Sequence, residues 1–266
     1  MEAVTTAVSA LEDNPVFNAG TGATLNLYGE AELDAAVIYS DKLSYGAVGA
    51  LKRVKNPVLV ARAVMELTGH SLICGEGALI FARESGFPDY DPVTSERLAY
   101  YQSKLVSEGG LAAINTSCTA RADPKGTVGA VALDEQGRLA AATSTGGVSF
   151  KLPGRIGDSP ICGAGTYASP WAAASATGYG EAILKMLTAK YLCDLVEAGQ
   201  IAQAAAEDAL RKLSELTDDA GIIAVDWRGN VGICHRTESM PFGVVTSSGS
   251  LKIGMNWKER AHNISS

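Results

Sequence analysis

Gly126-Thr127-Val128-Gly129-Ala130-Val131-Ala132-Leu133-Asp134 and, after Glu135-Gln136, Gly137-Arg138-Leu139-Ala140-Ala141-Ala142-Thr143-Ser144-Thr145-Gly146-Gly147 form the stretch around which the chain is organised. It contains two short apolar runs of small and β-branched residues joined by Asp134-Glu135-Gln136-Gly137. Apolar runs of that length, bounded by turn residues, predict a hairpin of buried strands. The first strand opens with a threonine that follows a glycine, so Thr127 reads either as an ordinary β-branched strand residue or as a nucleophile.

The second reading rests on simple chemistry. If the Gly126–Thr127 bond is broken, Thr127 gains a free α-amino group beside its own hydroxyl. An α-amine has an unperturbed pKa of about 7.7–8.0 and serves as a general base near neutral pH. Nucleophile and base then belong to one residue, and no Ser-His-Asp constellation is needed. Gly126 suits such a cleavage, because a residue without Cβ tolerates the strained backbone that attack by the Thr127 hydroxyl requires.

The run Gly-Thr-Val-Gly-Ala-Val-Ala-Leu-Asp, followed by Ala-Ala-Ala-Thr-Ser-Thr-Gly-Gly, resembles the plant-type L-asparaginase/isoaspartyl peptidase family of N-terminal nucleophile hydrolases. The resemblance extends from about Val4 to the end of the chain. It implies an α+β fold, a four-layer αββα sandwich, in one domain that cuts itself into an α subunit (1–126, with a linker over about 86–126) and a β subunit (127–266). It implies hydrolysis of L-asparagine to aspartate and ammonia, and of the β-aspartyl bond in isoaspartyl dipeptides. A homodimer of processed αβ units is implied as well, with no organic cofactor. Two rival readings are a glycosylasparaginase-like amidohydrolase and an unprocessed, inactive homologue acting only as a binding or subunit protein. Glycosylasparaginases typically carry Asp before the threonine, where this chain has Gly126.

Composition fits a globular protein with ample core: of 266 residues, 47% are hydrophobic and 19% charged. A net charge of −7 argues against nucleic acid or an anionic membrane as main partner. No apolar run reaches the ~18 residues of a transmembrane candidate. No basic region followed by an apolar core opens the chain, so a cytoplasmic location is expected. Cys74, Cys118, Cys162, Cys193 and Cys234 are odd in number and scattered, as are His70, His235 and His262. Reduced thiols and no zinc site are therefore expected.

Glu2 to Asp13 reads as a helix with Val4, Val8 and Leu11 on one stripe. The resemblance implies a strand ahead of it ending in a His-Gly-Gly-Ala-Gly-like run. The sequence as given opens with the helix, so an unfilled sheet position is expected. Next comes Leu11-Glu12-Asp13-Asn14-Pro15-Val16-Phe17-Asn18-Ala19-Gly20-Thr21-Gly22, a structured loop by its Pro, Asn and Gly content. By resemblance the backbone carbonyls of Leu11, Glu12, Asn14, Phe17, Ala19 and Thr21 hold a structural sodium ion, and Asn18 lies near the nucleophile. Without the family context this is a plain helix-to-strand loop.

Ala31–Tyr39 and Ser44–Val54 read as a buried strand pair. Helices are predicted over Pro57–Leu67, where proline sits at an early helical position, over Gly77–Ser85, and over Thr94–Val106. Ser107–Lys125 is small, polar and mixed, which suits a flexible linker before the scissile bond.

The remaining candidate residues lie in the second half. Thr145 closes the second strand before Gly146-Gly147, and by resemblance its hydroxyl stands beside the nucleophile. In Gly154-Arg155-Ile156-Gly157-Asp158-Ser159-Pro160, Arg155 and Asp158 read as a surface ion pair, worth little. By resemblance they instead clamp the α-carboxylate and α-ammonium of an aspartyl group, as a guanidinium fork and an acid are suited to do. Ala176-Thr177-Gly178-Tyr179-Gly180-Glu181 is predicted to open a helix running to about Glu197, with Ile183, Leu184, Leu187, Tyr191 and Leu195 buried. Thr177 there is an N-cap. By resemblance the Thr177 hydroxyl and Gly178 N–H form an oxyanion hole, and Gly180 approaches the substrate. A helix over Ile201–Leu216, with both ends inward, a hairpin of Ile222–Asp226 and Val231–His235, and edge strands at Phe242–Ser247 and Leu251–Met255 complete the prediction. Strands, then helices, then strands fit an α+β layered domain.

Overall fold

The computed structural model describes residues 1–107, 110 and 126–256. Helix α1 (Glu2–Glu12) is followed by a loop, then by strands β1 (Leu33–Tyr39) and β2 (Ser44–Leu51). Helix α2 (Pro57–Leu67) begins at Pro57, where the missing N–H costs nothing and the fixed φ favours helix entry. Strand β3 (Leu72–Cys74), helix α3 (Gly75–Glu84) and helix α4 (Ser95–Ser107) complete the first half. Helix α4 and its buried Arg97 occupy part of the stretch expected as a linker. The part of that linker over 108–125, and Cys118 with it, lies outside the described residues except for Gly110.

The hairpin at the centre of the sequence is present, as β4 (Val128–Leu133) and β5 (Leu139–Thr145). Its turn is tied by the Asp134 carboxylate, which accepts the N–H groups of Gln136 and Arg138. These strands join a five-stranded sheet in the order β3-β2-β1-β5-β4. β1 is antiparallel to both neighbours, opposing Ala36 to Ala47 on one side and to Thr143 on the other. Every residue of β5 is buried.

The second sheet corrects the prediction that Ala176–Glu181 opens a helix, since its first three residues end a strand. Ala172–Gly178 is strand β7, paired antiparallel with β6 (Thr166–Ala168) and β8 (Ala220–Asp226). Strand β9 (Val231–His235) closes the order β6-β7-β8-β9. Alanine and serine predominate in β7, so local helix propensity misleads, and burial between layers wins.

Helix α5 (Gly180–Met186) ends at Leu187, which adopts a left-handed backbone (φ 47°, ψ 52°), and α6 (Thr188–Glu197) starts afresh. The break rotates the buried stripe. Leu187 turns outward, Ala189, Leu192, Cys193 and Val196 are fully buried, and Tyr191 and Leu195 pack half-buried against the same cluster. Helix α7 (Ala202–Leu213) is shorter than predicted, leaving Ile201 and Leu216 exposed; Leu67 at the end of α2 is exposed too. Among the described residues, strands β10 (Phe242–Val245) and β11 (Leu251–Gly254) pair only with each other, not with either larger sheet.

The result is a mixed α+β structure with several sheets. α1 and α2 bury Val4, Val8, Val58, Val60 and Val64 against Leu33, Ala35, Val37 and Val128 of the first sheet. α5, α6 and α7 bury Ile183, Leu192, Val196, Leu210 and Leu213 against Ala174, Ala176 and Ile222 of the second. Each such side chain removed from water contributes about 1.5–3 kcal/mol. Between the sheets lies a thinner cluster of Ile38, Leu139, Ala141, Ala168, Ala173 and Val225. The small residues let the sheets approach closely, close enough for the Thr143 and Ser175 hydroxyls to bond across at 2.6 Å. No helix among the described residues is long and apolar enough to cross a membrane. The four described cysteines are free thiols.

Candidate active site

Thr127 stands one residue before β4, where the chain enters the sheet from Gly126. Its hydroxyl donates to Thr145 Oγ1 at 3.0 Å. Thr145, at the end of β5, also accepts the Gly147 N–H at 2.9 Å, so its oxygen is fixed from two sides.

Asn18 supports this junction with four bonds. Its Nδ2 donates to the Gly147 carbonyl (2.7 Å), and its Oδ1 accepts the Thr24 N–H (2.8 Å). Its carbonyl accepts the Gly146 N–H (2.9 Å), and its own N–H points to the carbonyl of Gly126 (3.4 Å). The peptide carbonyl adjoining Thr127 therefore already faces a backbone donor.

Thr177 and Gly178 reach the same place from the other sheet, as the last two residues of β7 rather than as a helix cap. A Cβ built on Gly126 would stand 3.6 Å from Thr177 Oγ1. Gly178 has φ +132°, and any Cβ there would collide with the Asp219 carbonyl, so only glycine fits. The cap position of α5 belongs to Tyr179, with no side-chain cap bond.

Arg155 and Asp158 converge on Gly180. A Cβ on Gly180 would lie 2.7 Å from Asp158 Oδ1 and 2.8 Å from Arg155 Nη2. They do not form the simple surface pair that sequence spacing allows. Arg155 donates through Nε and Nη2 to Glu181 Oε1 at 3.0 and 2.9 Å. Asp158 is buried, its Oδ2 has no hydrogen-bond partner, and burial pushes its carboxyl up to about 7 against the pull of the Arg155 guanidinium. It is the other oxygen, Oδ1, that faces Gly180 next to the Arg155 guanidinium, so an acid and a cation flank the same glycine.

Three residues of this neighbourhood escaped the sequence reading. Glu181 reads in the sequence as no more than a helix-opening residue, yet its Oε1 accepts the Arg155 guanidinium. Asp34 of β1 accepts the Ala50 N–H at 2.8 Å and the Gly157 N–H at 3.0 Å, anchoring the Arg155–Asp158 loop to the first sheet. Lys151 is buried and donates to the Glu32 carbonyl at 2.8 Å. Two carboxylates in the apolar run Glu32-Leu33-Asp34-Ala35 were the available signal, since buried charges require partners.

In the Leu11–Thr21 loop, the carbonyls of Leu11, Glu12 and Asn14 accept N–H groups from Asn14, Thr21 and Phe17. Gly20 and Gly22 take left-handed conformations that fold the loop back on Glu12 and Pro15. No cluster of three or more His, Cys, Asp or Glu suited to a metal occurs among the described residues.

A family model described as Asparaginase matches residues 1–255. The plant-type L-asparaginase of Pyrococcus furiosus is 47% identical over 251 residues, covering 91% of this chain and 82% of that protein. The chain belongs to the plant-type L-asparaginase and isoaspartyl peptidase family. An isoaspartyl peptidase of Escherichia coli is 43% identical over 247 residues, covering 90% of this chain and 77% of its own. The isoaspartyl peptidase/L-asparaginase of Mus musculus is 42% identical over 260 residues, with 96% and 78% covered. Membership of this asparaginase family spans the Thr127 junction, the Arg155–Asp158 loop and the Thr177–Gly180 segment alike.

Proposed function

We propose that the chain is a self-processing threonine hydrolase that cleaves L-asparagine to aspartate and ammonia and splits the β-aspartyl bond of isoaspartyl dipeptides. The observation that carries this reading is the 3.0 Å contact between the hydroxyls of Thr127 and Thr145 at a junction preceded by Gly126. The fold is a four-layer αββα sandwich of the N-terminal nucleophile type, in a single domain.

Processing begins when Thr127 Oγ attacks the Gly126 carbonyl carbon. The new C–O bond replaces the C–N bond, and water then hydrolyses the ester. This leaves the Gly126 carboxylate on an α piece (1–126) and a free Thr127 amine on a β piece (127–266). In turnover the amine accepts the hydroxyl proton as Oγ attacks the substrate's side-chain carbonyl. The Thr177 hydroxyl and Gly178 N–H stabilise the oxyanion, a contribution of about 3–4 kcal/mol per donor in comparable sites. Ammonia or a peptide amine leaves, and water activated by the Thr127 amine releases aspartate.

Arg155 holds the substrate's α-carboxylate and Asp158 its α-ammonium, with Gly180 leaving room between them. Thr145 orients the nucleophile and Asn18 holds the turn that carries it. No organic cofactor enters the scheme. The carbonyls of Leu11, Glu12, Asn14, Phe17, Ala19 and Thr21 suit a structural sodium ion, because all are neutral hard oxygens and those of Leu11, Glu12 and Asn14 keep a lone pair after accepting one N–H. A homodimer of processed units in the cytoplasm completes the proposal.

Incubation followed by mass spectrometry and N-terminal sequencing tests it. Two fragments, the smaller-numbered ending at Gly126 and the other beginning with Thr127, are expected, together with ammonia release from asparagine. Thr127→Ala should remain one chain and release no ammonia. A wild-type chain that stays intact and inert would sink the reading and favour the unprocessed alternative.

A further inference from the structure

Lys151 is the largest fully buried side chain among the described residues, with 1% of its surface exposed. An ammonium has three donors, and here one is used, on the Glu32 carbonyl at 2.8 Å. No carboxylate among the described residues forms an ion pair with it. The two acids whose fields reach it are occupied elsewhere: Glu32 by the Gly154 N–H (3.2 Å) and Lys52, and Asp34 by the Ala50 and Gly157 N–H groups. Burial accordingly pulls the lysine below its ordinary value, and the Arg155 charge adds to that pull.

Its location gives this cost a purpose. A Cβ on Gly147 would stand 3.1 Å from Lys151 Nζ and 3.2 Å from Arg155 Nη1. Two cations therefore meet over one glycine, the same glycine whose N–H fixes Thr145 and whose carbonyl is held by Asn18. A buried ammonium costs several kcal/mol unless an anion compensates it, and like charges so placed repel. Both costs fall when a carboxylate arrives.

We propose that Lys151 is a positioning residue for substrate capture, its ammonium lying behind Gly147 and adding to the positive field in which Arg155 takes the α-carboxylate of the aspartyl group. The assignment rests on the functional reading above. It selects for substrates with a free α-carboxylate and against those in which that group is an amide.

Lys151→Met keeps the volume and removes the charge. It should raise KM for asparagine by about tenfold or more while changing kcat little, and leave KM for the α-carboxamide analogue asparaginamide as in the wild type. Equal changes for both substrates, or an unchanged KM for asparagine in a folded and processed variant, overturn the assignment while leaving the hydrolase reading intact. A wild type that hydrolyses neither amide removes that reading and this assignment with it. Should the variant fail to fold, the 15Nζ signal of Lys151 in lysine-labelled wild type decides. It should shift on adding aspartate and stay in place with aspartic acid α-amide; no shift with either overturns the proposal.

Discussion

At the scale of single residues, Asp158 makes the most direct prediction. Burial holds its carboxyl at about 7 in the free protein, so near neutrality a large fraction is protonated. Only the carboxylate attracts a substrate ammonium, and the carboxylate form grows as pH rises through about 7. kcat/KM for asparagine should therefore climb across that range. Asp158→Asn should remove this limb and raise KM, while the limb from the Thr127 amine persists; a pH–rate profile from pH 5 to 9 on both proteins checks it. Thr145 adds a second residue-level expectation. Thr145→Val keeps the β-branched shape but removes the oxygen that accepts the Thr127 hydroxyl, so processing and turnover should each slow by about 100-fold or more at unchanged fold.

At the scale of elements, buried carboxylates and close sheet contacts decide. Glu12, the last residue of α1, is buried with its Oε1 on the Val58 N–H at the start of α2 (3.0 Å). Burial pushes it up to about 8, outweighing the Ser144 hydroxyl and that N–H. The unfolded carboxyl ionises near 4.5 and the folded one near 8, so the folded state binds the extra proton between those values. Stability should fall as pH rises from about 4.5 to about 8, by on the order of 5 kcal/mol at most. Glu12→Gln in a Thr127→Ala background, which keeps one chain, should lose that slope in denaturant melts at pH 5 and 8. Gly129 in β4 faces Ser175 in β7, and an added Cβ would collide with the serine hydroxyl. Gly129→Ala should force the sheets apart and cost about 1–3 kcal/mol, visible as a lower Tm.

The same elements show where sequence reading succeeds. Helix α2 has the predicted ends because Pro57 fixes its start, and the β4–β5 hairpin has its turn written in Asp134 and Gly137. Strand β7 escaped because Ala172–Ala176 carries no β-branched residue, and only the neighbouring sheet makes it a strand. The α5–α6 break escaped because Leu187 is an unremarkable leucine until its backbone turns left-handed. Thr127, Thr145, Arg155 and Asp158 stand out as motif residues. Their wiring does not: Glu181 on Arg155, Asp34 under Gly157 and Lys151 on the Glu32 carbonyl are contacts across 26, 123 and 119 positions, invisible to local pattern.

At the scale of the whole molecule, the proposed scission falls between strands that share one sheet. β1, from before Gly126, lies between β2 and β5, and its six-residue register with β5 runs through the centre of the first sheet. Asp34 of that strand also holds the loop of Arg155 and Asp158. Pulling the halves apart would bare a sheet edge and strand a buried acid, so separation amounts to unfolding. Denaturing electrophoresis should show one band turn into two as processing proceeds, with no change in native elution volume. A body whose integrity does not depend on the bond between its two lengths of polypeptide can equally be assembled from two genes. Expressed side by side, residues 1–126 and a methionine-trimmed chain opening at Thr127 should nest together and hydrolyse asparagine without ever having cut themselves.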